Sequence, residues 1–270
     1  MRQWRLIYDQ PTLGARNMAF DEAILASVSA GDVPPTLRLY AWNPPCLSLG
    51  YGQHAREADT DRLAERGWQI VRRPTGGRAI LHTDELTYSL ALPSDDPLAQ
   101  ANLVESYRQI SRALLIALEC LGAQVQAIRA EPNTVHPLNP ICFETPSHYE
   151  ITVAGRKLVG SAQVRRKQGI LQHGTLPLTG DISRICDVLV YLDEITRAAA
   201  KADVHARALT LEEALGVAVD WQTVAAAVVD GFAQAFDLDF KVGDLSPMER
   251  ATATRLISDQ YDTETWTFRR

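Results

Sequence analysis

Apolar and polar residues alternate along several short segments of this chain, and a period of two predicts β-strands. Glycine, proline and asparagine bound the segments, as expected where strands end and turns begin. Alternation is clearest around Ile151, where Tyr149 and Val153 share a face that excludes Glu150 and Thr152. The predicted strands are 4–8, 36–42, 46–51, 69–73, 78–82, 85–92, 148–154, 157–162 and 170–176.

Helical periodicity occupies other parts of the chain, and after Pro177 helical patterns replace the strand patterns. Leu103, Tyr107, Ile110 and Leu114 recur at three- and four-residue steps, and Gly122 ends this helix. The predicted helices are 16–30, 59–66, 101–121 and 220–236, with capping boxes at 210–213 and 246–249. Residues 123–141 and 201–207 are expected to be loops. We therefore predict one α/β (α+β) domain over 1–270: mixed sheets flanked by helices in a core of about 1–185, then a helical appendage.

The segment 69–82 contains the sequence Arg-Arg-Pro-Thr-Gly-Gly-Arg between two predicted strands. One interpretation is a tight hairpin in which Gly76 and Gly77 supply positive φ. The other is that these glycines let the backbone approach a ligand, while Arg72, Arg73 and Arg78 meet its negative charge. The segment is not a Walker loop, because no Lys-Ser/Thr opens a helix after it.

Composition narrows the class of protein. The 270 residues carry a net charge of −6, which argues against nucleic-acid binding. The charged N-terminus predicts no export signal, and no apolar run has the length of a membrane span, so a cytoplasmic protein is expected. Two basic clusters, 72–78 and 156–167, suit an anionic ligand or a small acidic partner, or else are solvated strand faces.

Four cysteines lie far apart, so neither a disulfide framework nor a zinc site is predicted. Cys46 and Cys120 are expected to be buried as small apolar residues. Cys142 differs because Pro140 and Pro146 place it on a rigid loop.

Cys142 is the candidate nucleophile, and Lys157 follows it by fifteen residues across predicted strands and turns. A nearby ammonium lowers the pKa of a thiol and so activates it. The alternative is a Cys–His pair that uses His82, His148 or His173, and no spacing selects among these three. Ser161 lacks the Gly-x-Ser-x-Gly elbow of a serine nucleophile.

Two stretches together resemble a known group of enzymes. The sequence 72–82 with Glu-Leu-Thr-Tyr-Ser at 85–89 resembles the signature segment of the biotin/lipoate protein ligase superfamily. The motifs at 142–143, 146–150, 160–163 and 171–174, together with Lys157, resemble the cysteine-dependent octanoyltransferases of the LipM type. The likeness runs from about residue 17 to 177 and more loosely to the end.

The resemblance implies transfer of an octanoyl group from the phosphopantetheine thioester of acyl carrier protein to a lysine of a lipoyl-accepting protein, such as glycine cleavage H protein or a dehydrogenase E2 lipoyl domain. By this likeness Cys142 forms the acyl-enzyme, and Lys157 lowers its pKa and contacts the acyl carbonyl. No cofactor or metal is implied, and lipoate or octanoate is expected to bind the pocket. The implied substrate-binding residues are Arg73, Gly76, Gly77, Arg78, His82, Gly160, Ser161, Gln172, His173 and Gly174.

Three other functions stay open on the sequence. ATP-dependent lipoate–protein ligases share the superfamily, although they usually read Gly-Gly-Gly where this chain has Gly76-Gly77-Arg78. Related cysteine enzymes move the octanoyl group between two lipoyl-accepting proteins. A non-catalytic acyl-binding protein would need neither Cys142 nor Lys157.

Overall fold

The computed structural model describes residues 1–128 and 150–270. Cys142, His148 and most of the predicted loop 123–141 lie outside the described residues. Within the described part, no helix combines the length and apolarity that crossing a bilayer requires. In the same ranges, no group of three or more His, Cys, Asp or Glu side chains is arranged to hold a metal ion.

A mixed sheet of eight strands organises the described residues. Its order is β11-β1-β2-β6-β10-β9-β8-β7, parallel between β11, β1 and β2 and antiparallel elsewhere. The predicted strands are confirmed here, and the β8–β9 turn has positive φ at Ala154 and Gly155. The strands are β1 Arg2–Tyr8, β2 Thr36–Tyr40, β6 Glu85–Pro93, β7 Gln126–Ile128, β8 Glu150–Val153, β9 Arg156–Arg166, β10 Gly169–Pro177 and β11 Leu238–Val242.

A second sheet of three strands corrects the predicted hairpin at 69–82. Its strands are β3 Cys46–Leu49, β4 Gln69–Arg72 and β5 Ile80–His82, in the order β4-β3-β5. β3 lies between the other two, parallel to β4 and antiparallel to β5. The Pro-Thr-Gly-Gly segment therefore crosses the end of β3, and the two strands that it joins do not pair with each other.

Helices cover both faces of the large sheet. Helix α1 lies against β6 and β10 on one face, and α4 packs with α7 on the other. Capping is as predicted at Asp220 and at the Ser246–Glu249 box, while Thr210 accepts from the Glu213 backbone N–H. The helices are α1 Gly14–Ala30, α2 Thr60–Glu65, α3 Pro97–Gln100, α4 Leu103–Cys120, α5 Glu194–Arg207, α6 Leu211–Leu215, α7 Trp221–Phe236, α8 Pro247–Leu256 and α9 Glu264–Thr267.

Three local expectations are wrong. Residues 201–207 belong to α5, not to a loop, because Val204 is buried and fastens that turn to the protein. Cys120 is exposed, since it faces away from the apolar side of α4. A short strand, β7, occupies Gln126–Ile128, where a loop was expected, and pairs with β8.

The two faces of the large sheet differ in chemistry because side chains alternate along each strand. In β6, Leu86, Tyr88, Leu90 and Leu92 point to the main apolar core beneath α4 and α7. The intervening residues of β6 face the α1 side, where buried polar side chains are common. We call these the leucine face and the polar face.

Candidate functional site

A cavity with an empty volume of about 310 Å³ lies on the polar face, beneath α1 and the small sheet. The strand register places Tyr40, Thr87, Thr175 and Gly160 side by side across β2, β6, β10 and β9. The cavity wall consists of Met18, Tyr40, Trp42, Ser48, Arg73, Ile80, His82, Thr87, Gly160, Ala162, His173, Gly174 and Thr175.

His82 is held on this wall by hydrogen bonds at both ring nitrogens. Nδ1 lies 2.7 Å from Glu85 Oε1, and Nε2 lies 2.8 Å from Ser48 Oγ. The ring stacks on Trp42 with centroids 3.9 Å apart. Glu85, Ser48 and Trp42 together fix the orientation of the ring.

His173 has an equivalent arrangement on β10. Its Nε2 lies 2.6 Å from Thr75 Oγ1, and its Nδ1 lies 3.3 Å from Asp21 Oδ2. Burial lowers the pKa of His173, and this outweighs the opposing effect of Asp21. His173 therefore ties the Pro-Thr-Gly-Gly segment to the large sheet as a neutral ring.

Asp21 belongs to a buried ionic group on the polar face. Arg38 donates to Asp21 Oδ1 at 2.8 Å and to Asp9 Oδ2 at 2.7 Å, and Tyr40 donates to Asp21 Oδ2 at 2.9 Å. Burial alone would raise the pKa of Asp21, but Arg38 and His173 bring it below its usual value. The carboxylate stays ionised, as a hydrogen-bonded buried charge requires.

The glycine segment is fixed by its neighbours. The Arg73 guanidinium donates to the Gly76 and Arg78 carbonyls at 2.8 and 2.7 Å, and to the Ser48 carbonyl at 2.9 Å. Gly77 has a φ of 92°, so the prediction of positive φ is confirmed for this glycine. Gly50 is required beneath it, because a Cβ at Gly50 would lie 1.9 Å from the Gly77 carbonyl oxygen.

Lys157 lies near the start of β9, three residues before Gly160 of the cavity wall. Its side chain is 2% exposed, and Nζ lies 2.8 Å from Glu150 Oε1. A buried ammonium requires such a partner. Since Cys142 lies outside the described residues, the predicted contact between its thiol and Lys157 stays a prediction.

Not every predicted substrate-binding residue reaches the cavity. Ser161 and Gln172 lie on the leucine face, and both hydrogen bond to the Tyr88 hydroxyl, at 2.8 and 2.9 Å. Gly174 is two residues after Gln172 on β10 and so belongs to the same face of the strand, but its backbone contributes to the cavity wall. A Cβ at Gly174 would lie 2.5 Å from Tyr88 Cε1 and 2.7 Å from the Gly160 carbonyl oxygen. The cavity wall therefore brings together Arg73, His82, Gly160, His173 and Gly174, and it does not include Gly76, Gly77, Arg78, Ser161 or Gln172.

The basic clusters of the sequence are largely bound within the protein. Arg72 is fully buried and donates to the carbonyls of Gly50, Gln53 and Thr267. Arg78 lies 3.6 Å from Glu57, and Arg156 lies 2.8 Å from Glu213. These arginines fasten loops and the C-terminal segment.

Several residues that line the cavity or position its wall were missed by sequence reasoning. Ser48, Thr75 and Asp21 position the two histidines, and Thr175 and Met18 line the cavity. A signal existed for Thr75 and Thr175, which lie inside or beside the quoted motifs. Asp21 and Met18 had none, because they look like ordinary residues of a helix.

Two cysteines are buried away from the cavity wall. Cys46 is fully buried, and burial raises the pKa of its thiol well above the ordinary value, as expected of a small apolar core residue. Cys186 is buried as well. Neither thiol is on the cavity wall.

Comparison with known proteins confirms the resemblance seen in the sequence. The chain is 40% identical over 275 residues to an octanoyltransferase LipM from Kyrpidia tusciae and 38% identical over 270 residues to one from Carboxydothermus hydrogenoformans, and each alignment covers both chains in full. A bipartite lipoate protein ligase from Thermoplasma acidophilum has a TM-score of 0.84 at 25% identity, covering 99% of this chain and 97% of its own. A lipoate-protein ligase A bound with ATP has a TM-score of 0.81 at 26% identity, covering 99% of each.

A family model extends over most of the chain as well. Residues 14–233 match the lipoyl protein ligase A/B catalytic domain. This range includes the cavity wall, Lys157 and most of helix α7. The chain belongs to the lipoyl protein ligase A/B catalytic domain family.

Proposed function

We propose that this chain, an octanoyltransferase of lipoate biosynthesis by its likeness to the relatives above, takes the octanoyl group from acyl carrier protein and passes it to a lysine of a lipoyl-accepting protein. The acceptor is a protein such as glycine cleavage H protein or an E2 lipoyl domain. The observation that carries the proposal is the cavity on the polar face. Its apolar wall residues Met18, Trp42, Ile80 and Ala162 suit an acyl chain. Its wall residue Gly160 lies on the same strand as the buried Lys157.

The reaction has two balanced halves. The Cys142 thiolate attacks the thioester carbonyl, the bond from carbon to the phosphopantetheine sulfur breaks, and the departing thiolate takes up a proton. The neutral amine of the target lysine then attacks the Cys142 thioester. An amide forms, the Cys142 thiolate leaves, and the amine proton passes to solvent. Lys157 stabilises the thiolate and the developing charge on the acyl oxygen.

The two cavity histidines support Lys157 over a Cys–His pair that uses His82 or His173. His82 is engaged by Glu85 and Ser48, and His173 by Asp21 and Thr75. Each ring therefore already uses both nitrogens in fixing the wall. An imidazole that activates a thiol would have to give up one of these bonds.

Intact-mass measurement tests the proposal. The protein mixed with octanoyl-acyl carrier protein in the absence of ATP should gain the mass of one octanoyl group, and peptide mapping should place it on Cys142. Cys142→Ser, the matched variant, should gain no thioester and lose transfer. Unimpaired turnover by Cys142→Ala would overturn the mechanism.

A second experiment tests the role of Lys157. Lys157→Met should slow alkylation of Cys142 near neutral pH, whereas an unchanged rate would show that Lys157 does not lower the pKa of this thiol.

A second function has support in the similarity to a lipoate-protein ligase A bound with ATP. That alternative predicts lipoate-dependent consumption of ATP that survives loss of Cys142. A third, octanoyl transfer between two lipoyl-accepting proteins, would appear as transfer from an octanoylated H protein without acyl carrier protein. Under the proposed function, no cofactor is required, and octanoate and lipoate bind the cavity as free acids. The cytoplasmic location stays a prediction.

A further inference from the structure

The Thr175 hydroxyl lies on the cavity wall, and its surroundings differ from those of the neighbouring Thr87 hydroxyl. Thr175 is 1% exposed, and its Oγ1 has no hydrogen-bond partner among residues 1–128 and 150–270. A hydroxyl removed from water without a partner destabilises a protein unless something else binds it. Such an atom on the wall of a ligand cavity indicates a polar group of the ligand.

The neighbouring Thr87 hydroxyl, unlike that of Thr175, has a hydrogen-bond donor and a hydrogen-bond acceptor as partners. Thr87 and Thr175 face each other in the β6–β10 ladder and share the polar face. Thr87 Oγ1 accepts from Trp42 Nε1 at 2.8 Å and donates to Glu85 Oε1 at 2.5 Å. Its only proton is therefore committed, so Thr87 cannot donate to Thr175. On the other side of Thr175, the ladder partner is Gly160, which has no side chain to offer.

The position of Thr175 along the strands limits which part of a ligand reaches it. On β10 it is near the end, and its partner Gly160 is three residues from Lys157 on β9. At about 3.3 Å per residue, Thr175 is about 10 Å along the sheet from Lys157. His173 and Ala162 lie farther from Lys157. Thr175 is thus at the end of the cavity where the proposed function places the reacting carbon.

We propose that the Thr175 hydroxyl donates a hydrogen bond to the carbonyl oxygen of the acyl group in the cavity, as a further substrate-binding residue. This rests on the proposed function. A saturated acyl chain offers a single acceptor, its carbonyl oxygen, and the remaining carbons fit the apolar part of the wall. The hydroxyl fixes how deep the chain lies, and hence where its carbonyl stands relative to Lys157.

The proposal makes an unusual prediction for one variant, Thr175→Val, which replaces the hydroxyl by a methyl group of similar size. The free protein should become more stable, because a buried group without a partner is removed. Octanoate, whose carboxylate oxygen stands in for the carbonyl, should bind about tenfold more weakly, as expected for one lost hydrogen bond. Thr175→Ser retains the hydroxyl and should bind octanoate within about twofold of the wild type.

Thr87→Val is the matched control, since it is the same substitution on the facing residue. It breaks bonds to Trp42 and Glu85 and should lower the melting temperature of the free protein. Melting temperatures by differential scanning calorimetry and octanoate affinities by isothermal titration calorimetry measure both effects. A lower melting temperature for Thr175→Val would show a structural partner and overturn the proposal. Unchanged octanoate affinity in that variant would overturn it as well.

A failure of the Thr175 proposal can be distinguished from a failure of the proposed function. Octanoate binding does not require Cys142 or either protein partner, so Thr175 is judged even if transfer from acyl carrier protein fails. In the transfer reaction, Thr175→Val should lower kcat/KM by about tenfold, and Thr175→Ser should restore it. If the wild type transfers octanoyl groups and Thr175→Val is equally active, the hydroxyl does not contact the carbonyl.

Discussion

The two faces of the large sheet are stabilised by different interactions. The leucine face buries apolar side chains of β2, β6 and β10 against α4 and α7, and its stability comes from removing them from water. The polar face buries Arg38, Asp21, His82 and His173, each held by hydrogen bonds to side chains on other elements. One sheet therefore has a packed side and a side where stability depends on a connected polar network.

This difference teaches where function can be placed. Apolar packing tolerates little empty space, so a cavity on the leucine face would cost stability directly. On the polar face, hydrogen bonds fix the positions of Tyr40, His82 and His173 around an open volume. The network thus supports the wall, and the cavity between its members can be filled by a ligand.

The largest expected effect comes from breaking the polar network at its buried charge. Arg38→Met leaves Asp21 ionised and buried without its main partner, which should lower the free energy of unfolding by about 3–5 kcal/mol. Chemical denaturation measures it. Arg62→Met is the control: Arg62 pairs with Glu194 on the surface, and its loss should cost at most about 1 kcal/mol.

A double variant sharpens the first prediction. Arg38→Met combined with Asp21→Asn should be less destabilised than the sum of the two single variants, because neither charge is then left alone. Additive losses, or a loss under 1 kcal/mol for Arg38→Met, would mean that the ion pair does not stabilise the polar face.

The leucine face should respond without involving the cavity. Leu90 is fully buried on β6, and Leu90→Ala should destabilise the protein by about 2–5 kcal/mol. Because Leu90 is on the other side of the sheet from the cavity, octanoate affinity of the folded variant should match the wild type. Titration below the unfolding temperature measures it, and a large loss of affinity would show that the two faces are coupled.

Much of the leucine face could be predicted from the sequence, and little of the polar face. Alternation in β6 and β10 marks which residues share a face, because the period of two is local. By contrast, the bond between Asp21 and His173 joins residues 152 positions apart. Nothing near Asp21 distinguishes it from an exposed helix residue. Residue type and spacing indicated Lys157 and the glycine segment, and the family resemblance implied their roles in the site.

The misread hairpin has the same origin. Two strands flanking a short turn normally pair, and the pattern at 69–82 contained no sign that β3 would insert between them. Gly50, on the loop after β3, makes the crossing possible because Gly77 passes directly over it. Which strands pair depends on distant partners, so the local pattern identified both strands and still gave the wrong neighbours.

A smaller loss of stability is expected from a substitution at Gly174, where the β10 backbone passes close to Tyr88 and to β9. Gly174→Ala would place a Cβ against Tyr88 and the Gly160 carbonyl, and should cost about 1–3 kcal/mol as overpacking. Gly76→Ala is the matched control, since no atom lies within 4 Å of its Cβ position, and it should change stability by about 0.5 kcal/mol at most. Equal thermal stability of the two variants would show that β10 can move away from β9.

The smallest expected effect is a dependence of stability on pH that comes from His173 on the polar face. Burial, with Arg73 and His82 nearby, lowers the pKa of His173 despite Asp21, so the folded state keeps this ring neutral. The unfolded chain takes up the proton near pH 6.5. The contribution to stability is therefore complete above about pH 6.5 and is lost as the pH falls toward the lowered folded pKa, by at most about 1.4 kcal/mol per pH unit.

His173→Gln should flatten this slope between about pH 6.5 and 5.5, because no proton is then bound on unfolding. Urea unfolding at several pH values gives the slope directly, and the comparison is between slopes because the substitution also changes the bond to Thr75. His54→Gln, at an exposed residue, is the control and should retain the wild-type slope. If the His173→Gln slope equals that of the wild type, the ring takes up its proton equally in both states. The folded protein would then hold His173 neutral above about pH 6.5 and charged below it, as in the unfolded chain.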